Sequence, residues 1–144
     1  MKTLRLLTLV PVSLAISLLF NQPNLAQTPV IIDQNFDKKD PLVVNGTAGG
    51  TVPSNCGNIT AQPSQVIKVT ESLPYLRLTV ESQGKPTLLI DGPGGRFCVL
   101  ADNYSDNKPE LAGFWQLGQY SLYIGNLSPG QHTYNLSISK QQKK

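Results

Sequence analysis

The strongest constraint in this sequence is the alternation of apolar and polar side chains in "PYLRLTVES". Leu76, Leu78 and Val80 alternate there with charged or hydroxyl-bearing residues. A period of two over this length is typical of a β-strand with one buried face. Several such strands bury their apolar faces by packing one sheet against another. The segment therefore indicates a sheet protein.

Further strand-like segments occur along the rest of the chain, and several of them alternate in the same way. Eleven prolines and twelve glycines are spread between the short apolar segments, as in sandwiches and barrels. After residue 26 the sequence has no convincing 3.6-residue apolar stripe that would indicate a helix. The sequence therefore predicts an all-β fold, an antiparallel β-sandwich of the jelly-roll-like type. The further strand segments are "QVIKVT", "PTLLI", "RFCVL", "QYSLYIG" and "TYNLSIS".

The N-terminus has the pattern of a secretory signal peptide. Lys2 and Arg5 precede an uncharged stretch from Leu6 to Phe20, and a polar segment then leads to Ala26. The apolar stretch is shorter than the roughly 20 residues that span a bilayer. We therefore predict cleavage after Ala26, no transmembrane anchor after cleavage, and a secreted or periplasmic protein.

Cleavage at this position leaves one domain. Of 144 residues, removal of 26 leaves 118, enough for a single core. The predicted organisation is a signal peptide at 1–26, a lead-in segment at 27–41, a β-sandwich domain at 42–139 and a polar tail at 140–144. Within the lead-in, Val30 to Ile32 are a candidate edge strand.

The net charge argues against a nucleic-acid partner. Without Lys2 and Arg5 the chain keeps ten of its twelve basic residues against nine acidic ones. Proteins that bind the phosphate backbone need a concentrated basic patch. We therefore predict no nucleic-acid binding.

Two cysteines, Cys56 and Cys98, remain in the predicted mature chain. In an oxidising compartment an even pair favours a disulfide. The alternatives are a zinc site, for which His132 is the only histidine available, and a redox pair, which prefers closer spacing. The structural disulfide is the favoured interpretation.

The order of motifs resembles a known family. A glycine-rich opening at 45–50 precedes "TLLIDGPGGRFC", an Asp- and Asn-rich loop, "PELAGFWQLGQYSLYIGN" and a closing "YNLSIS". This order is similar to that of the bacterial pre-peptidase C-terminal domain over residues 42–139. The resemblance implies a jelly-roll-like β-sandwich that acts as a non-catalytic accessory or binding module. It also implies that some relatives bind a matrix or substrate and that some hold calcium.

The loop "ADNYSDNKPE" is a candidate calcium site. Asp102, Asn103, Asp106 and Asn107 place carboxylate and amide oxygens close together, and calcium prefers such ligands. The spacing differs from the Asp-x-Asp-x-Asp-Gly loop, and Asp and Asn also occur in turns because they bond nearby backbone groups. A turn is the favoured interpretation, and calcium is the one cofactor that the sequence suggests.

Aromatic side chains suggest a binding surface. Tyr104 and Tyr123 are candidate ligand-binding residues, because a flat ring with a polar edge can stack on a sugar or a protein surface. Trp115 and Tyr120 are expected to fill the core instead. The predicted partner is an unidentified protein, glycan or matrix surface.

We predict that the chain is not an enzyme. A Ser-His-Asp arrangement needs a histidine, His132 is the only one, and no Gly-x-Ser-x-Gly motif is present. The predicted function is an exported binding or accessory module at the cell envelope or outside the cell. The alternatives are a small secreted hydrolase with an unrecognised site and a purely structural envelope protein.

Overall fold

The computed structural model describes residues 28–144, so the predicted signal peptide lies outside the described residues. Short 3-10 turns occur at Phe36–Lys39 and Asn103–Ser105. The strands are β1 (Val30–Ile32), β2 (Leu42–Ala48), β3 (Val52–Ser54), β4 (Gly57–Ile59), β5 (Gln65–Val69), β6 (Leu73–Ser82), β7 (Pro86–Gly92), β8 (Gly95–Leu100), β9 (Glu110–Trp115), β10 (Gly118–Asn126) and β11 (His132–Ser139).

The strands form two packed sheets. The smaller sheet is antiparallel, with the order β2-β11-β6-β9. In the larger sheet β10 pairs with β7 on one side and with β5 and β4 on the other. Strand β8 lies at one edge beside β7, and β1 lies beside β5 as the parallel strand. The predicted all-β sandwich is confirmed.

The core lies between the sheets and uses the alternating residues. Leu76, Leu78 and Val80 of β6 are fully buried, and so are Leu136 and Ile138 of β11. Each such side chain contributes about 1.5–3 kcal/mol by leaving water. The period of two therefore identified the inward faces of these strands correctly.

The lead-in segment is packed into the sandwich. Strand β1 pairs with β5, and Phe36 is buried in the main core. The Asp40 carboxylate accepts hydrogen bonds from Ser139 Oγ at 2.6 Å and from the Lys140 backbone N–H at 2.8 Å. The candidate edge strand at Val30 to Ile32 is therefore β1, and it belongs to the larger sheet although it precedes Leu42.

The predicted disulfide between Cys56 and Cys98 is confirmed. It joins the β3–β4 turn to β8, with 5.5 Å between the two Cα atoms. Beneath it, Ile59, Leu89 and Tyr123 pack on the outer face of the larger sheet. Strand β7 is consequently buried on both faces at this point, which explains its uninterrupted apolar run.

Asn126 fastens the end of β10 to the β6–β7 turn. Its side chain is fully buried. Oδ1 accepts hydrogen bonds from the backbone N–H groups of Lys85 at 3.0 Å and Ser128 at 2.8 Å. Nδ2 donates to the Gln83 carbonyl at 3.0 Å. One side chain thus satisfies three backbone groups from two connections.

Within residues 28–144, no helix has the length and apolar character needed to cross a bilayer.

Candidate functional site

The candidate site is the open side of the sandwich between β8 and β9. In the part of the chain that the structure describes, β8 pairs only with β7 and β9 pairs only with β6. The two sheets therefore each present an edge strand here. Between these edges lies a concavity of about 210 Å³, which we call the aromatic groove. It is lined by Gly94, Phe97, Leu111, Phe114, Trp115, Gln116 and Tyr120.

Trp115 and Tyr120 form the floor of the groove, and both are buried as the sequence predicted. Their ring centres lie 4.6 Å apart, with the planes tilted by 60°. Trp115 Nε1 donates to the Leu76 carbonyl at 3.1 Å, and the Tyr120 hydroxyl donates to the Gln116 carbonyl at 2.7 Å. Because these polar atoms already bond the backbone, the floor offers mainly apolar ring surface.

Glycines in and beside the β7–β8 turn allow close packing against Tyr120 and Pro93. A Cβ atom at Gly92 would collide with the Tyr120 ring, so only glycine allows the ring to lie against the turn. Gly118 has a φ of +143°, and a Cβ atom there would lie 2.5 Å from Pro93 Cγ. The "DGPGG" motif therefore serves both as a hairpin turn and as a support for Tyr120.

Phe97 and Phe114 form the walls, and sequence reasoning missed both. Phe97 is 41% exposed and Phe114 is 68% exposed. The lining residues include no charged side chain. Clustered exposed apolar side chains on a folded protein mark interaction surfaces. The sequence predicted "RFCVL" only as a strand, and the exposure of Phe97 depends on β8 being an edge strand, which local sequence does not specify.

The two tyrosines predicted to bind a ligand do not line the aromatic groove. Tyr104 is 96% exposed in the second 3-10 turn. Tyr123 is half-buried on the outer face of β10, and the Arg96 guanidinium carbon lies 5.8 Å from its ring centre. A ligand role for either residue stays a prediction.

The Asp- and Asn-rich loop has the hydrogen bonds of a turn. Asp102 Oδ1 accepts from the backbone N–H groups of Tyr104 and Ser105, both at 2.9 Å. Asp106 and Asn107 adopt left-handed backbone conformations, with φ of 53° and 59°. Across residues 28–144, no group of three or more His, Cys, Asp or Glu side chains is placed to hold a metal ion. Calcium at Asp102, Asn103, Asp106 and Asn107 stays a prediction.

A thermal melt with and without calcium distinguishes the favoured turn from the alternative calcium site. We expect millimolar calcium to leave the melting temperature of the metal-stripped protein unchanged, because Asp102 already accepts two N–H bonds and Asp106 lies 3.6 Å from Lys143 Nζ. A bound ion at 100 times its dissociation constant would add about 2.7 kcal/mol. An increase of several degrees that is lost in the Asp102→Ala/Asp106→Ala variant would instead establish a calcium site.

The outer face of the smaller sheet carries paired charges on and beside β6 and β9. Lys108 Nζ lies 2.6 Å from Glu81, and Glu110 contacts Thr79 Oγ1 at 3.1 Å and Arg77 at 3.8 Å. The exposed Lys108–Glu81 pair contributes little to stability. This face is typical of a solvated surface, and the aromatic groove differs from it in being uncharged.

Three pKa shifts predict how stability depends on alkaline pH. The hydrogen bond to Glu81 raises the pKa of Lys108 above 10.5, and burial raises the pKa of Tyr120 and Tyr134 above 10.0. A group whose pKa is higher in the folded state stabilises the protein below its unfolded pKa and loses that contribution as pH rises. We therefore expect the free energy of unfolding to fall above about pH 10 in denaturant titrations, less steeply in Tyr134→Phe. A free energy of unfolding that rises with pH above about pH 10 would contradict the raised pKa values of these three groups.

His132 lies at the start of β11, opposite Ala48 of β2. Its Nε2 atom is 3.3 Å from the Pro129 carbonyl oxygen. The residue is half-buried at a hairpin end and does not line the aromatic groove.

Sequence comparisons give two relatives. No family model matches the chain. The chain is 37% identical over 122 residues to an uncharacterized protein of Synechococcus elongatus, and the match covers 79% of this chain and 90% of that protein. It is 27% identical over 114 residues to a biosynthetic arginine decarboxylase of Shewanella amazonensis, of which the chain spans only 18%.

Structural comparison gives the fold. The chain is similar to the crystal structure of the pre-peptidase C-terminal domain of a collagenase from Bacillus anthracis, with a TM-score of 0.51. The match covers 81% of this chain and 99% of that domain at 16% identity, so the likeness concerns the fold alone. The resemblance predicted from the motifs is confirmed. The chain thus belongs to the family of the Synechococcus elongatus protein, and its fold is that of a pre-peptidase C-terminal domain.

Proposed function

We propose that this protein is an exported, non-catalytic binding module that acts at the cell envelope or outside the cell, with the aromatic groove as its binding surface. The observation that carries the proposal is the uncharged concavity between β8 and β9, with Phe97 and Phe114 exposed at its walls. Covering each partly exposed ring would contribute about 1–2 kcal/mol to binding. The proposed partner is a protein or glycan surface.

One observation and one sequence prediction support export. The disulfide between Cys56 and Cys98 fits an oxidising compartment such as the periplasm or the cell exterior. The predicted signal peptide at 1–26 would direct the chain there. Together they favour a secreted or periplasmic location.

The chemistry of the groove supports binding rather than catalysis. Acid–base catalysis needs a positioned titratable group that is available to a substrate. Tyr120 is the one titratable side chain in the lining, and its hydroxyl already donates to the Gln116 carbonyl. The fold neighbour is a domain of a collagenase, and an accessory role beside other proteins fits this proposal.

Co-sedimentation of the exported protein with isolated cell envelopes tests the proposal. We expect Phe114→Ser to weaken binding about tenfold, as for a central aromatic contact. Leu127→Ser is the matched control, because Leu127 is 51% exposed in the β10–β11 connection and lies outside the groove. Equal binding by both variants, with unchanged melting temperatures, would rule out the groove as the binding surface.

A further inference from the structure

We infer that the aromatic groove takes an extended peptide with uncharged apolar side chains, which adds as an antiparallel strand to the outer edge of β8. This inference rests on the proposed function and names the partner of the same site. It combines three features of the described residues: an edge strand, the apolar lining and the charges at the two ends of β8.

The first feature is the backbone of β8. An edge strand has its alternate N–H and C=O groups directed away from the sheet. In residues 28–144, β8 has β7 as its only strand neighbour. An added peptide strand supplies donors and acceptors at the matching spacing, which a hydrocarbon chain or a sugar does not.

The second feature is the direction of the side chains on β8. Phe97 lines the groove and Val99 packs against the main core, whereas Cys98 lies in the cluster on the outer face. Successive side chains of an added strand alternate in the same way. Every second side chain of the peptide would therefore enter the groove beside Phe97 and Phe114.

The third feature is charge complementarity. The lining is uncharged, so the inserted side chains should be uncharged as well. Arg96 is the second residue of β8, and Asp102 lies two residues beyond its end at Leu100. A peptide antiparallel to β8 begins beside Asp102 and ends beside Arg96. A basic N-terminal flank and an acidic C-terminal flank therefore complement the two ends.

A glycan is less well matched to this lining. Sugars need several polar partners around an aromatic ring, and the lining offers only the Gln116 side chain and the Tyr120 hydroxyl. That hydroxyl already donates to the Gln116 carbonyl.

The test uses two acetylated and amidated heptapeptides, KTVTFTE and its charge-reversed counterpart ETVTFTK, titrated into the exported protein. We expect KTVTFTE to bind about fivefold more tightly at low salt. Arg96→Glu should abolish or reverse this preference. Lys39→Glu makes a charge reversal of the same kind at the exposed first 3-10 turn, beside β1 at the opposite edge of the larger sheet, and should leave the preference unchanged. An equal affinity of the exported protein for the two peptides would overturn the assigned direction.

N-methylation distinguishes strand addition from simple apolar contact. Methyl groups on one set of alternate amides of KTVTFTE block the bonds to β8, and those on the other set face solvent. We expect one pattern to weaken binding about tenfold and the other to have little effect. Equal binding of both patterns, or binding that Phe114→Ser leaves unchanged, would overturn strand addition in the groove.

The remaining outcomes separate this inference from the proposed function. If neither peptide binds but envelope co-sedimentation still depends on Phe114, the peptide inference fails and the groove stays the binding surface. Displacement of envelope binding by cellohexaose would identify a glycan occupant and overturn the peptide. A concentration-dependent dimer that Phe114→Ser disrupts would identify a second copy of the chain and overturn it too.

Discussion

Removal of the disulfide, by Cys56→Ala together with Cys98→Ala, is expected to lower the free energy of unfolding by about 4 kcal/mol. The two cysteines are 42 residues apart in sequence, and the chain-entropy model gives this value for a loop of that size. The crosslink restricts the unfolded chain, so its removal makes unfolding more favourable even where the folded contacts persist. Ile59 and Leu89, which pack beneath the disulfide, also lose contacts.

Denaturant titrations of the oxidised protein, the reduced protein and the double variant would measure this effect. The reduced protein should match the variant, since both lack the crosslink. A loss below about 1 kcal/mol would show that the unfolded chain is already compact, so that the crosslink restricts it little. Binding of the peptide KTVTFTE to the aromatic groove can be measured separately on the same samples.

The second large effect is expected at Asn126. Asn126→Ala should lower the free energy of unfolding by about 3 kcal/mol, because each buried polar group left without a partner costs about 1–3 kcal/mol. The change leaves the Lys85 and Ser128 N–H groups and the Gln83 carbonyl without their side-chain partner. Gln83 and Lys85 lie in an exposed turn, so water can partly replace the lost hydrogen bonds. The expected loss is therefore at the low end of the sum for three groups.

Asn135→Ala is the matched control for this change. Asn135 is exposed on β11, and its replacement should alter stability by less than about 0.5 kcal/mol. Asn126→Asp measures the acceptor and donor contributions separately, because it keeps an oxygen that accepts from Lys85 and Ser128 and loses the N–H group that donates to Gln83. If Asn126→Ala and Asn135→Ala unfold at the same denaturant concentration, the buried amide does not fasten the turn.

Local sequence predicted the strands whose burial alternates. From Leu76 to Glu81 in β6 and from Thr133 to Ile138 in β11, inward residues are apolar and outward residues are polar, so a short window contains the signal. The candidate edge strand at Val30 to Ile32 is β1, although three residues are too few to show a period and its place is fixed by pairing with β5. The burial of Phe36 has no such signal in the sequence. The disulfide was predictable because only two cysteines remain in the predicted mature chain.

The site was less predictable than the fold. Trp115 and Tyr120 were expected in the core and form the floor of the groove. Phe97 and Phe114 were missed, because their exposure follows from the order of strands in two sheets. That order is set by pairings between distant segments, such as β10 with β7 and β6 with β11. A window of ten residues contains no information on which strand ends at an edge.

The crosslink at Cys98 has a consequence for the groove wall. Cys98 is the neighbour of Phe97 in β8, an edge strand that β7 alone holds by backbone pairing within residues 28–144. Edge elements open more readily than central ones. The bond to Cys56 attaches β8 a second time, through the β3–β4 turn, and limits such opening. The wall is thus pre-organised, and a ligand does not have to supply the free energy of ordering it.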